Sequence, residues 1–253
     1  MKRKLRNITD KASYLIAVVA ILIIWQMLCT LKVVPSFMLP SPIRVGQAFV
    51  SEFFILMQHA RVTLIEAMVG LAFGVVIGFV TAVLMDSYEI INRAVYPVLV
   101  ITQTIPTVAI APLLVLWLGY EMTPKIVLIV IATFFPITIG VLDGLKSTDQ
   151  DAIQLMKSMG ATKVQVFTQL KFKSSLGSFF SSLKISVAYS IVGAVISEWL
   201  GGFEGLGVYM TRVKKSFAYD KMFAVIILIS VLSILLMGVV KLLRIKCMPW
   251  ERK

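Results

Sequence analysis

Long apolar runs, separated by short polar intervals, constrain this chain more than any other feature. A helix crosses the hydrocarbon core of a bilayer with about 20 apolar residues, and it is one of the few structures that satisfy every backbone polar group there. The runs predict six transmembrane helices at residues 14–31, 62–85, 96–118, 126–142, 185–200 and 222–243. The composition agrees, because 58% of the residues are hydrophobic and 15% are charged, whereas soluble domains carry about 25% charged residues. We therefore expect an all-α polytopic membrane protein in which residues 1–253 form a single transmembrane domain.

Two of the predicted spans are irregular. The third contains Pro97, Pro106 and Pro112. Each proline lacks the backbone N–H that a helix interior needs, so we expect this span to be kinked or broken. The fifth span is short and carries polar side chains, including Glu198, which makes it the weakest of the six by hydropathy alone.

The basic residues predict the orientation of the spans. With the N terminus in the cytoplasm, the cytoplasmic segments receive 17 Lys and Arg and the outer segments receive 8, which together account for all 25. Basic residues concentrate in cytoplasmic loops of membrane proteins, so both termini are expected in the cytoplasm. The formal charge of +12 has the same explanation, and no basic groove interleaved with aromatic residues suggests a nucleic acid partner.

Gly70, Gly74 and Gly78 lie four residues apart in the second predicted span and therefore share one helix face. Small residues at this spacing let two membrane helices approach closely. The neighbour can be another helix of the same chain, which is the more common use of the spacing, or the same face of a second copy. The sequence leaves both alternatives open.

Several classes of function lack the residues that they require. His59 is the single histidine, and Cys29 and Cys247 are the two cysteines; these residues form neither a metal-binding nor a disulfide pattern. No G-x-x-x-x-G-K-[ST] sequence is present, so we expect no nucleotide binding by this chain. The spans show no paired acids and no nucleophile–base set of the kind that an intramembrane enzyme needs.

A polar interval, "STDQDAIQLMKSMGATKVQVFTQLKFKSS", runs from Ser147 to Ser175 between the fourth and fifth spans. Its pattern predicts two short amphipathic helices joined by a turn at Gly160. Ser147 or Thr148 can cap the first helix, and Thr162 can cap the second. The predicted apolar positions are Ala152, Leu155, Met156 and Met159 on the first helix and Val164, Phe167 and Leu170 on the second. The apolar face of the first helix can pack against the chain's own helix ends or lie on lipid headgroups. Alternatively, it can dock on a soluble partner. The residues alone leave these two alternatives open.

This interval resembles the cytoplasmic coupling loop of permease subunits of binding-protein-dependent ABC importers, whose hallmark is Glu-Ala-Ala, three residues and then Gly. In "QLMKSMGA" the glycine is Gly160, while Gln154, Leu155 and Met156 stand where the family has Glu, Ala and Ala. The resemblance implies a loop, at about residues 145–178, that docks on a cytoplasmic ATPase. The docking residues that it implies are Asp151, Gln154, Leu155, Met156, Met159, Gly160 and Ala161.

Three further segments resemble the nitrate, sulfonate and taurine branch of these permeases: "FMLPSPIRVGQAF", "TQTIPTVAIAPLLVLWLGYEMTPKIVLIVIATFFPI" and "VGAVISEWLGGFEGLGVYM". The ending "EWLGGFEGLGVYMTRVKKSFAYDKMFA" is most similar to members assigned to uptake of a thiamine precursor, hydroxymethylpyrimidine. The resemblance implies the fold of a type I ABC importer permease with about six transmembrane helices. It also implies transport of a small organic solute, either a pyrimidine thiamine precursor or a sulfonate-, taurine-, nitrate- or riboflavin-type substrate.

The same resemblance implies the partners of the chain. They are a second permease copy, a dimer of cytoplasmic ABC ATPases, an extracytoplasmic solute-binding protein and the lipid bilayer of a bacterial plasma membrane. ATP would bind to the ATPase, so this chain would hold no cofactor and no metal and would not be an enzyme. An ion-coupled carrier that works alone is the alternative of a different class, but such carriers often contain internal repeats, and no repeat relates the two halves of this sequence.

Polar residues inside spans are candidates for the transport pathway, because they are costly in lipid and usually face a cavity. The candidates are Gln103, Thr104, Tyr189, Ser190 and Glu198. The hydroxyl groups can instead bond to the backbone of their own helix. Glu198 can instead serve as an interfacial anchor or pair with Arg212 or Lys214.

Overall fold

The computed structural model describes residues 16–17, 19–31, 33–35 and 38–251, and this part of the chain is helical and contains no strand. In chain order the helices are α1 (Val19–Thr30), α2 (Pro42–Ser51), α3 (Phe53–Ser87), α4 (Glu89–Thr104), α5 (Thr107–Leu118), α6 (Met122–Lys146), α7 (Gln150–Ser158), α8 (Lys163–Val166), a π-helical turn (Phe167–Lys171), α9 (Phe172–Leu200), α10 (Leu206–Lys215) and α11 (Tyr219–Cys247), followed by a 3-10 turn (Pro249–Glu251). The prediction of an all-α fold is confirmed for the described residues.

Among the described residues, four helices are long and apolar enough to cross a membrane: α3, α6, the continuous helix Lys163–Leu200 and α11. A fifth span results if the bent pair α4 and α5 is counted as one. These helices contain the last five predicted spans. The first predicted span begins outside the described residues, and its described part, α1, is a shorter apolar helix. The predicted total of six spans is therefore not confirmed.

The third predicted span is broken, as its prolines indicated. α4 and α5 meet at an angle of 97°, and the break lies at Ile105 and Pro106, which both have extended backbone angles. A residue before proline is disfavoured in the helical region, which explains the position of the break. Pro97 and Pro112, by contrast, lie inside α4 and α5. Membrane helices tolerate such prolines where neighbouring groups satisfy the freed carbonyl.

Contacts divide the chain into two compact units, of which the first comprises residues 1–57 and 209–228. Within it, Ser41 caps α2, and its side chain accepts a hydrogen bond from the amide of Arg44. The Trp25 indole donates to the Pro40 carbonyl at 3.1 Å, and its ring lies 5.8 Å from that of Phe223. Paired tryptophan and phenylalanine rings of this kind add to the free energy of apolar burial.

The second unit comprises residues 58–208 and 229–253, and α6 is its central helix. The glycine face of α3 packs directly on α6: a Cβ added at Gly70 or Gly74 would lie 2.6 Å from Ile129 or 2.1 Å from Thr133. A Cβ at Gly78 would lie 2.9 Å from Ile137. The predicted close packing of this face is confirmed, and its neighbour is a helix of the same chain.

The fifth predicted span is part of a longer helix than its hydropathy suggested. α8, the π-helical turn and α9 form one continuous helix of 38 residues, Lys163–Leu200. Three of its serines, Ser175, Ser182 and Ser186, are buried, and Ser175 and Ser182 lie against Gly144 and Gly140 of α6. The prediction of a second short helix in the polar interval is therefore wrong: the helix that begins after Thr162 continues directly into the span.

Candidate transport and coupling sites

The coupling loop begins with α7, which is capped by Asp149. The Asp149 carboxylate accepts a hydrogen bond from the amide of Asp151 at 2.9 Å, and a negative charge is favourable at a helix N terminus. The predicted caps, Ser147 and Thr148, are wrong. Their hydroxyl groups donate instead to the carbonyls of Gly144 and Leu145, each at 2.9 Å, and so satisfy carbonyls that the end of α6 leaves without a helical partner.

The apolar residues of α7 divide between two directions. Ile153, which the predicted stripe did not include, is 6% exposed and packs inward. Leu155 is 63% exposed and Met159 is 79% exposed, while Ala152 and Met156 are half-buried. An inward isoleucine fixes the helix on its own chain, and the outward leucine and methionine leave an apolar surface available to a partner. The remaining predicted docking residues, Asp151, Gln154 and Gly160, are exposed, and Ala161 is half-buried.

The turn after α7 has the predicted geometry. Gly160 has a φ of +82°, a conformation that side chains with a Cβ rarely adopt. Thr162 caps α8 in a capping box: its hydroxyl accepts from the Gln165 amide, and its own amide donates to the Gln165 side chain at 2.7 Å. Both predictions are confirmed, and the two signals together set the angle between α7 and the span that follows.

An ion pair attaches this region to α3. The Lys171 ammonium donates to both carboxylate oxygens of Asp86, each at 2.9 Å. A cavity of about 600 Å³ lies beside the pair and is lined in part by Ile153, Ala161 and Phe167. Lys171 belongs to the π-helical turn, an irregularity that occurs frequently at functional positions of helices. The coupling loop is thus connected through side chains to the end of α3 and through the backbone to α9.

A second cavity, of about 260 Å³, lies at the break between α4 and α5. Its lining includes Gln103, Pro106 and Tyr189, together with Thr102 and Thr107. Two of the predicted pathway residues, Gln103 and Tyr189, therefore meet at one cavity. A break in a membrane helix exposes backbone polar groups, which is tolerated where they line a cavity.

The other predicted hydroxyl groups bond to the backbone. Thr104, which does not line this cavity, donates to the Ile101 carbonyl at 2.8 Å. Ser190 is buried and donates to the Val187 carbonyl at 2.9 Å. Both bonds are of the helix-internal kind that the sequence left open as the alternative to a pathway role.

Glu198 lies in a buried polar cluster. It is 2% exposed, so the interpretation as an interfacial anchor is wrong. Its carboxylate accepts from the Thr63 hydroxyl at 2.7 Å and from the Gly207 amide at 2.6 Å. Nearby, the Lys125 ammonium donates to Glu66 at 2.6 Å. The spans thus do hold paired acids, contrary to the sequence-based prediction.

Sequence reasoning missed Glu66, Thr63 and Lys125 as members of this cluster. Glu66 carried a usable signal, because an acidic residue inside an apolar span is costly unless a partner is close. Lys125 gave no such signal, since it stands near the beginning of a span, where basic residues are ordinary. Among the described residues, no group of three or more His, Cys, Asp and Glu side chains could hold a metal ion.

Known proteins resemble this chain in sequence and in fold. Residues 74–246 match the family described as binding-protein-dependent transport system inner membrane component. The chain belongs to this family. It is therefore a multi-pass inner-membrane permease subunit of an ABC importer and not an enzyme, and subunits of this family work with an ATPase and a binding protein. The resemblance noted in the sequence is confirmed.

Two relatives are similar over nearly their full length. The formylaminopyrimidine transport permease protein ThiX of Halalkalibacterium halodurans is 40% identical over 237 residues, which cover 92% of this chain and 93% of the relative. A probable ABC transporter permease protein of Haemophilus influenzae is 38% identical over 222 residues, which cover 88% of this chain and 91% of the relative. Among solved structures, the inward-facing MetNI methionine ABC transporter has a chain with a TM-score of 0.68 at 19% identity, covering 77% of this chain and 96% of that one. This last likeness shows that the two share a fold.

Proposed function

We propose that this permease subunit transports a small pyrimidine precursor of thiamine, delivered by an extracytoplasmic binding protein. The observation that carries the proposal is the 40% identity over 92% of the chain with a permease of formylaminopyrimidine transport. The cavity at the break between α4 and α5 supports it. A pyrimidine is planar and has ring nitrogens and amino groups, which suit the ring of Tyr189, the amide of Gln103 and the hydroxyl of Thr107 around that cavity.

The proposal includes the assembly. Two copies of this chain would form the pathway, a dimer of ABC ATPases would bind the ATP, and this chain would bind no cofactor. The residues Asp151, Gln154, Leu155, Met156, Met159, Gly160 and Ala161 would form the surface that docks on the ATPase. The outward Leu155 and Met159, at 63% and 79% exposed, support that role, because an apolar patch on a cytoplasmic loop is normally covered by a partner.

Uptake of formylaminopyrimidine into proteoliposomes tests the substrate and the assembly together. We expect ATP-dependent uptake when this chain is the sole permease, reconstituted with its ATPase and its binding protein, and no uptake of taurine or riboflavin. The Tyr189→Ala permease should transport about two- to twelvefold more slowly, because an aromatic contact contributes about 0.5–1.5 kcal/mol. The Thr104→Val permease is the control, since Thr104 does not line the cavity.

Two outcomes would contradict the proposal. Uptake of taurine or riboflavin in place of formylaminopyrimidine would contradict the proposed substrate. A requirement for a different second permease would contradict the proposed pairing of two copies of this chain.

The accessibility of single cysteines tests the proposed orientation, with both termini in the cytoplasm. Thr162 and Glu204 are exposed and lie on opposite sides of the membrane in this proposal. In a parent without Cys29 and Cys247, we expect Thr162→Cys to react with a membrane-impermeant thiol reagent only in inside-out vesicles. Glu204→Cys should react only in intact cells or right-side-out vesicles. Reaction of Thr162→Cys from the outside would contradict the orientation and the docking role of the coupling loop.

A further inference from the structure

The buried polar cluster joins several parts of the second unit. Thr63 and Glu66 stand one turn apart on α3, Lys125 is in the first turn of α6, and Glu198 is near the end of α9. The loop after α9 completes the cluster through its backbone, because the Leu206 amide donates to the Thr63 hydroxyl at 2.8 Å. Glu66, Glu198 and Lys125 are 2%, 2% and 5% exposed, so water has little access to any of the three charged groups.

The backbone of this loop approaches the cluster because glycines replace side chains there. A Cβ at Gly205 would lie 2.2 Å from the Glu198 carboxylate. The Gly205 amide donates to His59 Nδ1 at 3.0 Å, so that nitrogen accepts a hydrogen bond and carries no proton. With that nitrogen unprotonated the His59 ring is neutral, and the Lys125 ammonium brings positive charge to the cluster through its contact with Glu66.

The two acids contact each other. The Glu66 and Glu198 carboxyl groups lie within hydrogen-bonding reach of one another. Glu198 already accepts from Thr63 and Gly207, and Glu66 Oε1 accepts from Lys125. Within the described part of the chain, no donor reaches the buried Glu66 Oε2. Two ionised carboxylates in contact repel each other strongly, and a buried acceptor without a donor is unfavourable.

Neighbouring charges do not offset this repulsion. The N terminus of α10, whose Gly207 amide bonds to Glu198, contributes roughly half a positive charge. Together with Lys125 this remains less than the charge of two carboxylates. The charged side chains that stand within six residues of the cluster along the chain, Arg61, Glu121, Glu204 and Arg212, are exposed.

We propose that Glu66 and Glu198 share one proton, so that this cluster is a proton-binding site within the permease. The shared proton supplies the donor that Glu66 Oε2 lacks and removes the repulsion between two ionised acids. The cluster then carries one positive charge, on the Lys125 ammonium, and one negative charge, on the pair of acids. In this state the cluster fastens the loop between α9 and α10 to α3 and α6, and removal of the proton leaves a net negative charge in contact with that loop.

Infrared spectra of the purified permease–ATPase complex test the proposal. At neutral pH, where exposed glutamates are ionised, we expect the wild-type complex to show the C=O stretching band of a protonated carboxyl group. Glu198→Gln and Glu66→Gln should each remove the band, because each leaves a single acid in a cluster that still holds the Lys125 ammonium, and the new amide can donate to that acid in place of the proton. Glu204→Gln is the matched control on the same loop, and it should leave the band unchanged.

If one glutamine variant fails to fold, the wild-type band and the other variant still test whether a protonated acid is present in the cluster. Absence of the band from the wild-type complex would overturn the proposal and point to a bridging water or cation between two ionised acids. Loss of the band in one variant but not in the other would also overturn it, because the proton would belong to a single residue. As a second readout, the thermal unfolding temperature of the wild type should fall more between neutral and alkaline pH than that of Glu198→Gln. Equal falls would contradict the shared proton.

Discussion

The Met159→Asp permease is expected to lose transport and to lose its ATPase on purification, while it reaches the membrane in near-normal amount. Met159 is 79% exposed and lies at the end of α7 beside the turn at Gly160. If α7 inserts into an apolar groove of the ATPase, the new carboxylate is buried without a partner. Such burial costs several kcal/mol, and a cost of about 4 kcal/mol corresponds to a roughly thousandfold weaker complex.

Two controls separate the apolar contact from charge and from folding. Met159→Leu keeps an apolar side chain of similar volume and should transport normally. Gln154→Glu adds the same charge to the exposed surface of the same helix, at the position where the family usually has Glu, and should also be tolerated. Retention of the ATPase and normal transport by Met159→Asp would show that this part of α7 is not the docking surface.

The Gly144→Leu permease is expected to be strongly destabilised, because α6 and α9 are in backbone contact at this glycine. A Cβ at Gly144 would lie 2.8 Å from the Cα and 3.0 Å from the carbonyl oxygen of Ser175. These are backbone atoms of a packed helix, so they cannot move aside as the end of a side chain can. Overpacking of this kind costs about 3 kcal/mol, which corresponds to a fall of about 6–12 °C in the thermal unfolding temperature.

Gly238→Leu is the matched control for this substitution. Gly238 is also inside a long helix, α11, but a Cβ there would meet no atom within 4 Å. Replacement of a helical glycine removes the conformational cost of glycine, about 1 kcal/mol, so this variant should unfold at the wild-type temperature or above it. Thermal unfolding in detergent, followed by fluorescence-detected size exclusion, measures both. Equal stability of the two variants would contradict the close packing of α6 on α9.

Local signals in the sequence predicted the elements of the fold whose causes are local. The apolar runs located α3, α6, α9 and α11, since their length matches the thickness of a bilayer. Gly160 and Thr162 predicted the turn and the cap of the coupling loop, because a positive φ and an N-cap are each set by one or two residues. The three prolines of the third span predicted that it would be kinked or broken, and the structure places the break at Pro106.

The tertiary structure alone decided which residues meet across the chain. Glu66, Lys125 and Glu198 are far apart in sequence, and no local signal related any one of them to the others, but the packing of α3, α6 and α9 brings them into one buried cluster. Packing also turned Ile153 inward and left Leu155 and Met159 outward. Helical spacing alone cannot predict which residues face inward, because that depends on where α3 and the π-helical turn lie relative to α7. The sequence by itself determined the spans, the coupling loop and the family resemblance. The partners of each buried polar group depended on long-range contacts, because a charge is stabilised by whichever donor the fold brings within hydrogen-bonding distance.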